Sequence, residues 1–327
     1  MKFQQEGHTA PELYSGFLKG DRPSIGSVVS KIRGDAGALG ALGALPPYVY
    51  FGDANHVGQP GFLGKAHEAY IPGSKAANLG LVREVSVQRL ADRRELLQTF
   101  DTLQRALDDA RGSMAGMDAF TAQALEMITS NKARDAFDVA KEPENVRAMY
   151  GKGTEYLQAR GLVEAGVPVV TLTPQNHDVP KKCNGQWDHH DHIFECLRAV
   201  VPQLDRSIHA LVTDLHERGL DKDVAVVVWG EMGRTPRVGT QRGTTGGRDH
   251  WPQSGFALMA GGGFQTGQVI GATDARGERP KGHAYTPQNV LATLYQVLGI
   301  DPITTLPDHQ GRPMYLLDDR ERVEELI

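Results

Sequence analysis

The clearest repeat of apolar positions lies between His190 and Leu220. Apolar residues recur there at steps of three or four positions: Ile193, Leu197, Val200, Leu204, Ile208, Leu211 and Leu215. This spacing predicts an amphipathic helix with one apolar face. Pro202 falls inside the segment, so a kink or a restart is expected there, because proline lacks the backbone N–H that the helix needs.

Weaker patterns of the same kind predict four further helices. Apolar positions on one face predict helices over 86–110, 118–129 and 145–165. Gly166 is expected to end the third of these, since glycine is a common C-terminal stop. Thr286 and Pro287 are expected to open a final helix that Gly299 ends.

Short apolar runs predict four strands, over 48–51, 167–172, 224–229 and 256–260. The run over 224–229 is unbroken, which is typical of a strand covered on both faces. Residues 1–45 show no regular pattern and are predicted to be irregular. The order strand, helix, strand, loop, strand, helix predicts an α/β fold with a doubly wound, mainly parallel central sheet and helices on both faces. No repeat or low-complexity linker divides the chain, so residues 1–327 are predicted to form a single domain.

Composition narrows the class of protein without naming a function. Hydrophobic residues make up 40% and charged residues 23% of the chain, as is usual for a globular protein. The net charge of -5 gives no support to a nucleic-acid partner. No apolar run is long enough to span a bilayer, and the first residues do not resemble a signal peptide.

The two cysteines, Cys183 and Cys196, are too few for a disulfide framework. They could form one bridge in an oxidising compartment, but two unpaired thiols beside a helix is the interpretation that the sequence favours.

The densest polar cluster is Trp187-Asp188-His189-His190-Asp191-His192, between a predicted strand and the long helix. Ligands of open α/β sheets bind where the strands end, and Asp and His are common ligands of divalent metals. Asp188, His190 and His192 are therefore candidate metal ligands. The alternative is a polar helix start, with Asp188 as N-cap and solvated histidines.

A second candidate group, Gly230-Glu231-Met232-Gly233-Arg234, follows the strand over 224–229 directly. Glu231 is well placed to bind a metal, and the glycines allow close approach of the backbone. Arg234 could bind an anionic substrate through paired hydrogen bonds. The alternative is an ordinary turn with surface charges.

A third candidate group, Arg248-Asp249-His250, precedes the strand over 256–260. Asp249 and His250 point in different directions, so one could bind a metal while the other orients a ligand. A buried histidine paired with an aspartate is the alternative. Because all three groups flank strands of one predicted sheet, we expect them to form a shared site.

These segments resemble a large bacterial family, the domain of unknown function numbered fifteen-hundred-and-one, which we place in the alkaline phosphatase and sulfatase superfamily. The motifs are WDHH, GEMGRTP, GRDHWP, FALMAGGG and the closing TPQNVLATLYQVLGID. The resemblance implies an alkaline phosphatase-like fold with a metal-centred site. It assigns as metal ligands Asp188, His190 or His192, Glu231, Asp249 and His250. Family members usually carry an export signal, which implies a periplasmic or exported protein at full length.

Two departures from the superfamily pattern stand out. Superfamily members usually have Asp-His or Asp-Asn before the loop glycine, where this chain has Glu231-Met232. One nitrogen or amide ligand is therefore missing or comes from elsewhere in the chain. The resemblance also implies that the chain begins after the family's first strand, as a member truncated at the N-terminus. The nucleophile is then expected near Gly7-His8-Thr9, with Thr9 as nucleophile and His8 as its neighbour.

The resemblance implies a metal-dependent hydrolase of phosphate or sulfate esters, acting on a small-molecule or glycan ester. The expected cofactor is zinc, calcium or manganese, with Arg234 and Arg248 neutralising charge on the substrate. The alternative is a non-catalytic, metal-dependent protein that binds anions or glycans. If the first strand is missing, hydrolysis by this chain is expected to be weak.

Overall fold

The computed structural model describes residues 1–4, 7–8, 11–19, 21–33, 45–52, 58–72, 135–183, 187–239 and 243–327. The helices predicted over 86–110 and 118–129 lie outside these residues.

Six α-helices and ten short strands have both of their ends in the described part of the chain. The helices are α1 (Pro11–Ser15), α2 (Ile25–Arg33), α3 (Glu144–Tyr150), α4 (Thr154–Glu164), α5 (Ile193–Glu217) and α6 (Pro287–Val297). The first six strands are β1 (Tyr48–Phe51), β2 (Val169–Leu172), β3 (Ala225–Trp229), β4 (Gly233–Arg234), β5 (His250–Trp251) and β6 (Ala257–Gly261). The last four are β7 (Ala272–Thr273), β8 (Pro280–Lys281), β9 (Thr305–Pro307) and β10 (Pro313–Tyr315).

All ten strands pair two by two, and only one pair is parallel. Strand β1 runs parallel to β2, with Tyr48 opposite Val169. Strand β3 runs antiparallel to β6, with Trp229 opposite Ala257. The pairs β4–β5, β7–β8 and β9–β10 are also antiparallel. The predicted doubly wound, mainly parallel sheet with helices on both faces is therefore wrong for the residues that the structure describes.

The connection between β3 and β6 explains this error. Parallel neighbours need a crossover, usually a helix, to carry the chain back to the starting edge of the sheet. The described residues between β3 and β6 form loops and the small β4–β5 pair, and the chain returns in the opposite direction. Every residue of β3 is also partly exposed, so the prediction of a strand covered on both faces is wrong as well.

The long helix is confirmed as α5, and Pro202 lies inside it. Its buried face includes Ile193, Cys196, Val200 and Ala210, in agreement with the amphipathic pattern. No helix in the described ranges is both long and apolar enough to cross a membrane.

The helix predicted over 145–165 is two helices, α3 and α4, separated at Gly151 to Gly153. Gly151 has φ 59°, a left-handed conformation that ends α3 and that residues with a side chain rarely adopt. The final helix is confirmed as α6, and Gly299 with φ 69° follows its end.

Helices α1 and α2 were missed, so the prediction that residues 1–45 are irregular is wrong for that part. A local signal was present, because Ser24 accepts a hydrogen bond from Ser27 N at 3.2 Å, as an N-cap does. Helix α2 then packs on α6 in one core cluster: Val28, Val29, Leu291, Ala292, Tyr295, Ile300, Leu316 and Leu317.

A buried ion network fastens α5 to α4. Arg160 is fully buried and donates to Asp214 Oδ2 at 2.8 Å, while Arg218 donates to Asp214 Oδ1 at 2.7 Å. Tyr150 OH also donates to Asp214, at 2.9 Å. Burial opposes ionisation of Asp214, but these hydrogen bonds and the two positive charges outweigh it and lower its pKa. The network fixes the C-terminal half of α5.

The N-terminal half of α5 is held by a disulfide between Cys183 and Cys196, with Cα atoms 5.6 Å apart. The favoured interpretation of two unpaired thiols is therefore wrong. A sequence separation of 13 does not determine whether two Cα atoms come within bridging distance, which depends on how the intervening loop folds.

Candidate metal centre

Four segments of the chain meet in front of the first turn of α5. They are the N-terminal segment with His8, the loop with Asp188 and His190, β4, and β5. Arg234 and His250 lie directly opposite each other in the β4–β5 pair, and opposite side chains project from the same face. The pairing therefore presents Arg234 and His250 together to Asp188.

Four side chains converge closely enough to hold a metal ion: His8, Asp188, His190 and His250. One donor atom from each lies within 4.8 Å of all the others. Asp188 Oδ1 is 2.8 Å from His190 Nε2 and 3.3 Å from His250 Nε2, and the two Nε2 atoms are 3.1 Å apart. Donor atoms around a tetrahedral zinc ion with bonds of ~2.1 Å are about 3.4 Å apart, so this triangle fits such an ion.

Two of the histidines are each held by a carboxylate on the side away from the group. His190 Nδ1 donates to Asp249 Oδ1 at 3.1 Å, and His8 Nδ1 donates to Glu231 Oε1 at 3.1 Å. A neutral imidazole that donates through Nδ1 carries its lone pair on Nε2. Carboxylates orient metal-binding histidines in this way in many metal sites. Asp249 and Glu231 therefore lie behind histidines and outside the four-residue group.

Arg234 supplies positive charge at the edge of the group. Its Nη2 donates to Asp188 Oδ1 at 2.5 Å, and its Nη1 lies 3.4 Å from His190 Nε2. Burial would raise the pKa of Asp188, but the hydrogen bond and charge of Arg234 outweigh burial, with help from His250 and His8. They lower this pKa to about 2. Asp188 is thus ionised at neutral pH, and its carboxylate oxygens can act as metal ligands.

Arg248 fixes the backbone of this region. It donates to the carbonyl oxygens of Thr235 and of Arg234, the second at 2.9 Å. Thr235 Oγ1 in turn accepts from Asp249 N at 3.0 Å. Burial, with the nearby charge of Arg234, lowers the pKa of Arg248. These contacts give Arg248 a role in holding the two strands in register.

Two glycines allow close backbone contacts around the site. A Cβ at Gly247 would collide with the carbonyl oxygen of His190, and one at Gly233 would collide with that of Ser254. The expectation that glycines beside Glu231 permit close approach is met at Gly233. Gly247 was not anticipated, and its contact brings the loop before β5 against the His190 backbone.

His192 was predicted as a metal ligand, but it is not part of the four-residue group. His192 has φ 47°, stands at the start of α5, and directs its Nε2 to Asp191 Oδ2 at 3.7 Å. Thr9 lies outside the described residues. His8 was predicted as the neighbour of a nucleophile, and its contacts with Asp188 and Glu231 were not foreseen.

His189 was passed over in the sequence, yet it is 2% exposed. Neither of its ring nitrogens has a hydrogen-bond partner within the described ranges. Burial lowers its pKa, and the charge of Arg234 adds to this effect. A neutral, buried imidazole thus lies beside the donor group.

In its described residues, the protein combines helices with small two-stranded sheets and carries a His/Asp group that could hold a metal ion. The chain belongs to the family described as protein of unknown function, DUF1501, whose model matches residues 2–327. This confirms the family resemblance, but not its superfamily placement. No curated protein and no solved structure matches the chain.

Proposed function

We propose that this protein is a metal-dependent hydrolase of phosphate or sulfate esters. The observation that carries the proposal is the triangle of Asp188 Oδ1, His190 Nε2 and His250 Nε2, with edges of 2.8, 3.1 and 3.3 Å. Catalytic zinc sites use three protein ligands and leave a fourth position for water or substrate, whereas structural sites are closed by four protein ligands. We therefore assign the triangle to the metal and give His8, the fourth member of the group, a different role.

The donor set favours zinc among the expected metals. Calcium takes six to eight oxygen ligands, whereas imidazole nitrogens suit zinc and other transition metals. A divalent cation at such a site supplies Lewis acidity, which polarises an ester oxygen and lowers the pKa of water. Asp249 would keep His190 in the tautomer that presents Nε2 to the cation.

His8 and Glu231 form the most solvent-exposed pair of the site, with side chains 43% and 30% exposed. His8 Nε2 faces Asp188 Oδ2, the carboxylate oxygen that lies outside the triangle, at 3.1 Å. We assign this pair the role of taking up the proton that an attacking water releases, as a carboxylate-supported histidine does in general base catalysis. Arg234 would attract the anionic ester and stabilise its developing charge.

The test compares metal content with hydrolysis in matched histidine variants. Metal-free protein is reloaded with zinc, manganese or calcium and assayed with p-nitrophenyl phosphate and p-nitrophenyl sulfate. We expect His190→Ala and His250→Ala to lose both bound zinc and hydrolysis. His8→Ala should keep its zinc and lose about 10²- to 10⁴-fold in kcat, the usual contribution of a general base.

Two results would contradict the proposal in different ways. If the wild-type protein binds no divalent cation, the proposed metal site does not exist. Protein that binds zinc but hydrolyses neither ester would favour a non-catalytic protein that binds anions or glycans. Loss of zinc in His8→Ala would make His8 a fourth ligand and remove its assignment as a base.

A further inference from the structure

The disulfide closes a loop that contains two of the proposed metal ligands. Cys183 and Cys196 are 13 positions apart, and Asp188 and His190 lie between them. The loop therefore has a covalent bond at its base and donor atoms at its centre.

The helix end of this loop is firmly anchored. Cys196 is fully buried in the first turn of α5. The backbone N–H of His192 donates to Thr245 O at 2.9 Å. Asp191 Oδ1 accepts from the N–H groups of both Thr245 and His192, at 2.5 and 2.9 Å. These bonds hold the chain where it enters α5, close to β5.

Among the residues that the structure describes, those near the other end of the loop have weaker non-covalent support. Lys182 pairs with Glu195 at 2.5 Å, but both side chains are about half exposed, at 45% and 52%. Exposed ion pairs of this kind add little stability in water. The bond from Cys183 to the buried Cys196 is thus the strongest link between the start of the loop and α5.

We propose that the Cys183–Cys196 disulfide positions Asp188 and His190 for metal binding, and that its reduction weakens the site. A dithiol reductant would supply two electrons and two protons, break the S–S bond into two thiols, and become a cyclic disulfide itself. The freed loop would then visit conformations in which the two donors do not converge. Apparent affinity falls in proportion to the fraction of molecules in the binding-competent conformation. This inference rests on the metal site of the proposed function.

Zinc affinity is the quantity that tests this role. It is measured by competition with a chromophoric chelator, for oxidised wild type and for the double variant Cys183→Ser/Cys196→Ser. We expect affinity to fall about 10- to 100-fold, the usual effect of losing support around a metal ligand. The hydrolytic kcat should return to the wild-type value at saturating zinc, since positioning affects loading and not the loaded site.

A control variant separates positioning from general loss of stability. Val29→Ala removes buried side-chain atoms from the α2–α6 core. It should lower the melting temperature without changing zinc affinity. Wild type reduced with excess dithiol, then desalted without oxygen to remove that chelating reagent, provides a second measurement if the serine variant does not fold.

The outcomes distinguish this inference from the proposed function. If oxidised wild type binds no zinc, the metal site itself is absent. If oxidised wild type binds zinc, and the reduced protein and the double variant bind it equally tightly, the site stands and the positioning role is wrong. Equal losses of affinity in Val29→Ala and the double variant would also overturn the positioning role.

Discussion

The two nitrogens of one imidazole ring have different partners at this site. His190 meets Asp249 through Nδ1 and faces Asp188 and His250 through Nε2. The residue types of the sequence identified Asp249 as a donor candidate but could not decide which partner it faces. That choice depends on the β4–β5 pairing, which turns His250 toward the group while Asp249 lies behind His190.

Replacing Asp249 tests whether this carboxylate orients the imidazole ring of His190. Asp249→Asn removes the negative charge that favours the Nδ1–H tautomer of His190. We therefore expect zinc affinity to fall about 10- to 100-fold. Asp205→Asn, an equal charge change at an exposed position of α5, should leave affinity unchanged. Equal affinity of Asp249→Asn and wild type in chelator competition would refute the orienting role.

For helices and strands, the spacing of apolar residues predicted where an element lies in the sequence better than it predicted the direction in which a strand runs. Periodicity located α5 and α6, and apolar runs located β1, β2, β3 and β6. An apolar run has no direction, so the antiparallel β3–β6 pair could not be predicted from it. The sequence pattern placed a loop, not a helix, between these two strands, and that was the one indication of antiparallel pairing. The break between α3 and α4 depends on two glycines inside an otherwise helical pattern. The contact of His8 with Glu231 spans 223 positions, and no local pattern in the sequence indicates it.

At the start of helix α6, one buried side-chain amide is expected to make a large contribution to the stability of the protein. Asn289 is 1% exposed; its Oδ1 accepts from Thr286 N, and its Nδ2 donates to Asp319 and to Glu321 O. Asn289→Ala removes all three of these hydrogen bonds and should lower the free energy of unfolding by about 2 to 4 kcal/mol. The exposed Gln296→Ala on the same helix should change it by under about 0.5 kcal/mol. Urea denaturation measures both, and equal values for the two variants would show that the cap contributes nothing.

For the whole molecule, acid stability depends on the ion network that joins α4 and α5. The pKa of Asp214 is lower in the folded state than in the unfolded chain. Its contribution to stability is therefore present above its unfolded pKa of about 3.9 and is lost as pH falls through its folded pKa.

Asp214→Asn should lower the free energy of unfolding at pH 7 by about 1.5 to 3 kcal/mol, because the buried Arg160 loses one charged partner but keeps its ion pairs with Glu142 and Glu164. The difference from wild type should shrink as pH falls below about 4, where wild-type Asp214 also loses its charge. Denaturant unfolding from pH 7 to pH 2 measures this, with the exposed Asp223→Asn as control. A difference that is the same at every pH would contradict the charge-based explanation.

The candidate centre joins distant parts of the chain, since His8 meets Glu231 across 223 positions and Asp188 meets His250 across 62. Contacts of this kind raise the contact order, and each requires closure of a long loop before it stabilises anything. Local helices such as α5 can form early in folding, but the donor atoms cannot converge until these loops have closed. We therefore expect the centre to be among the last parts of the protein to form, so that a partly folded chain lacks the converging donor atoms that a metal ion would need.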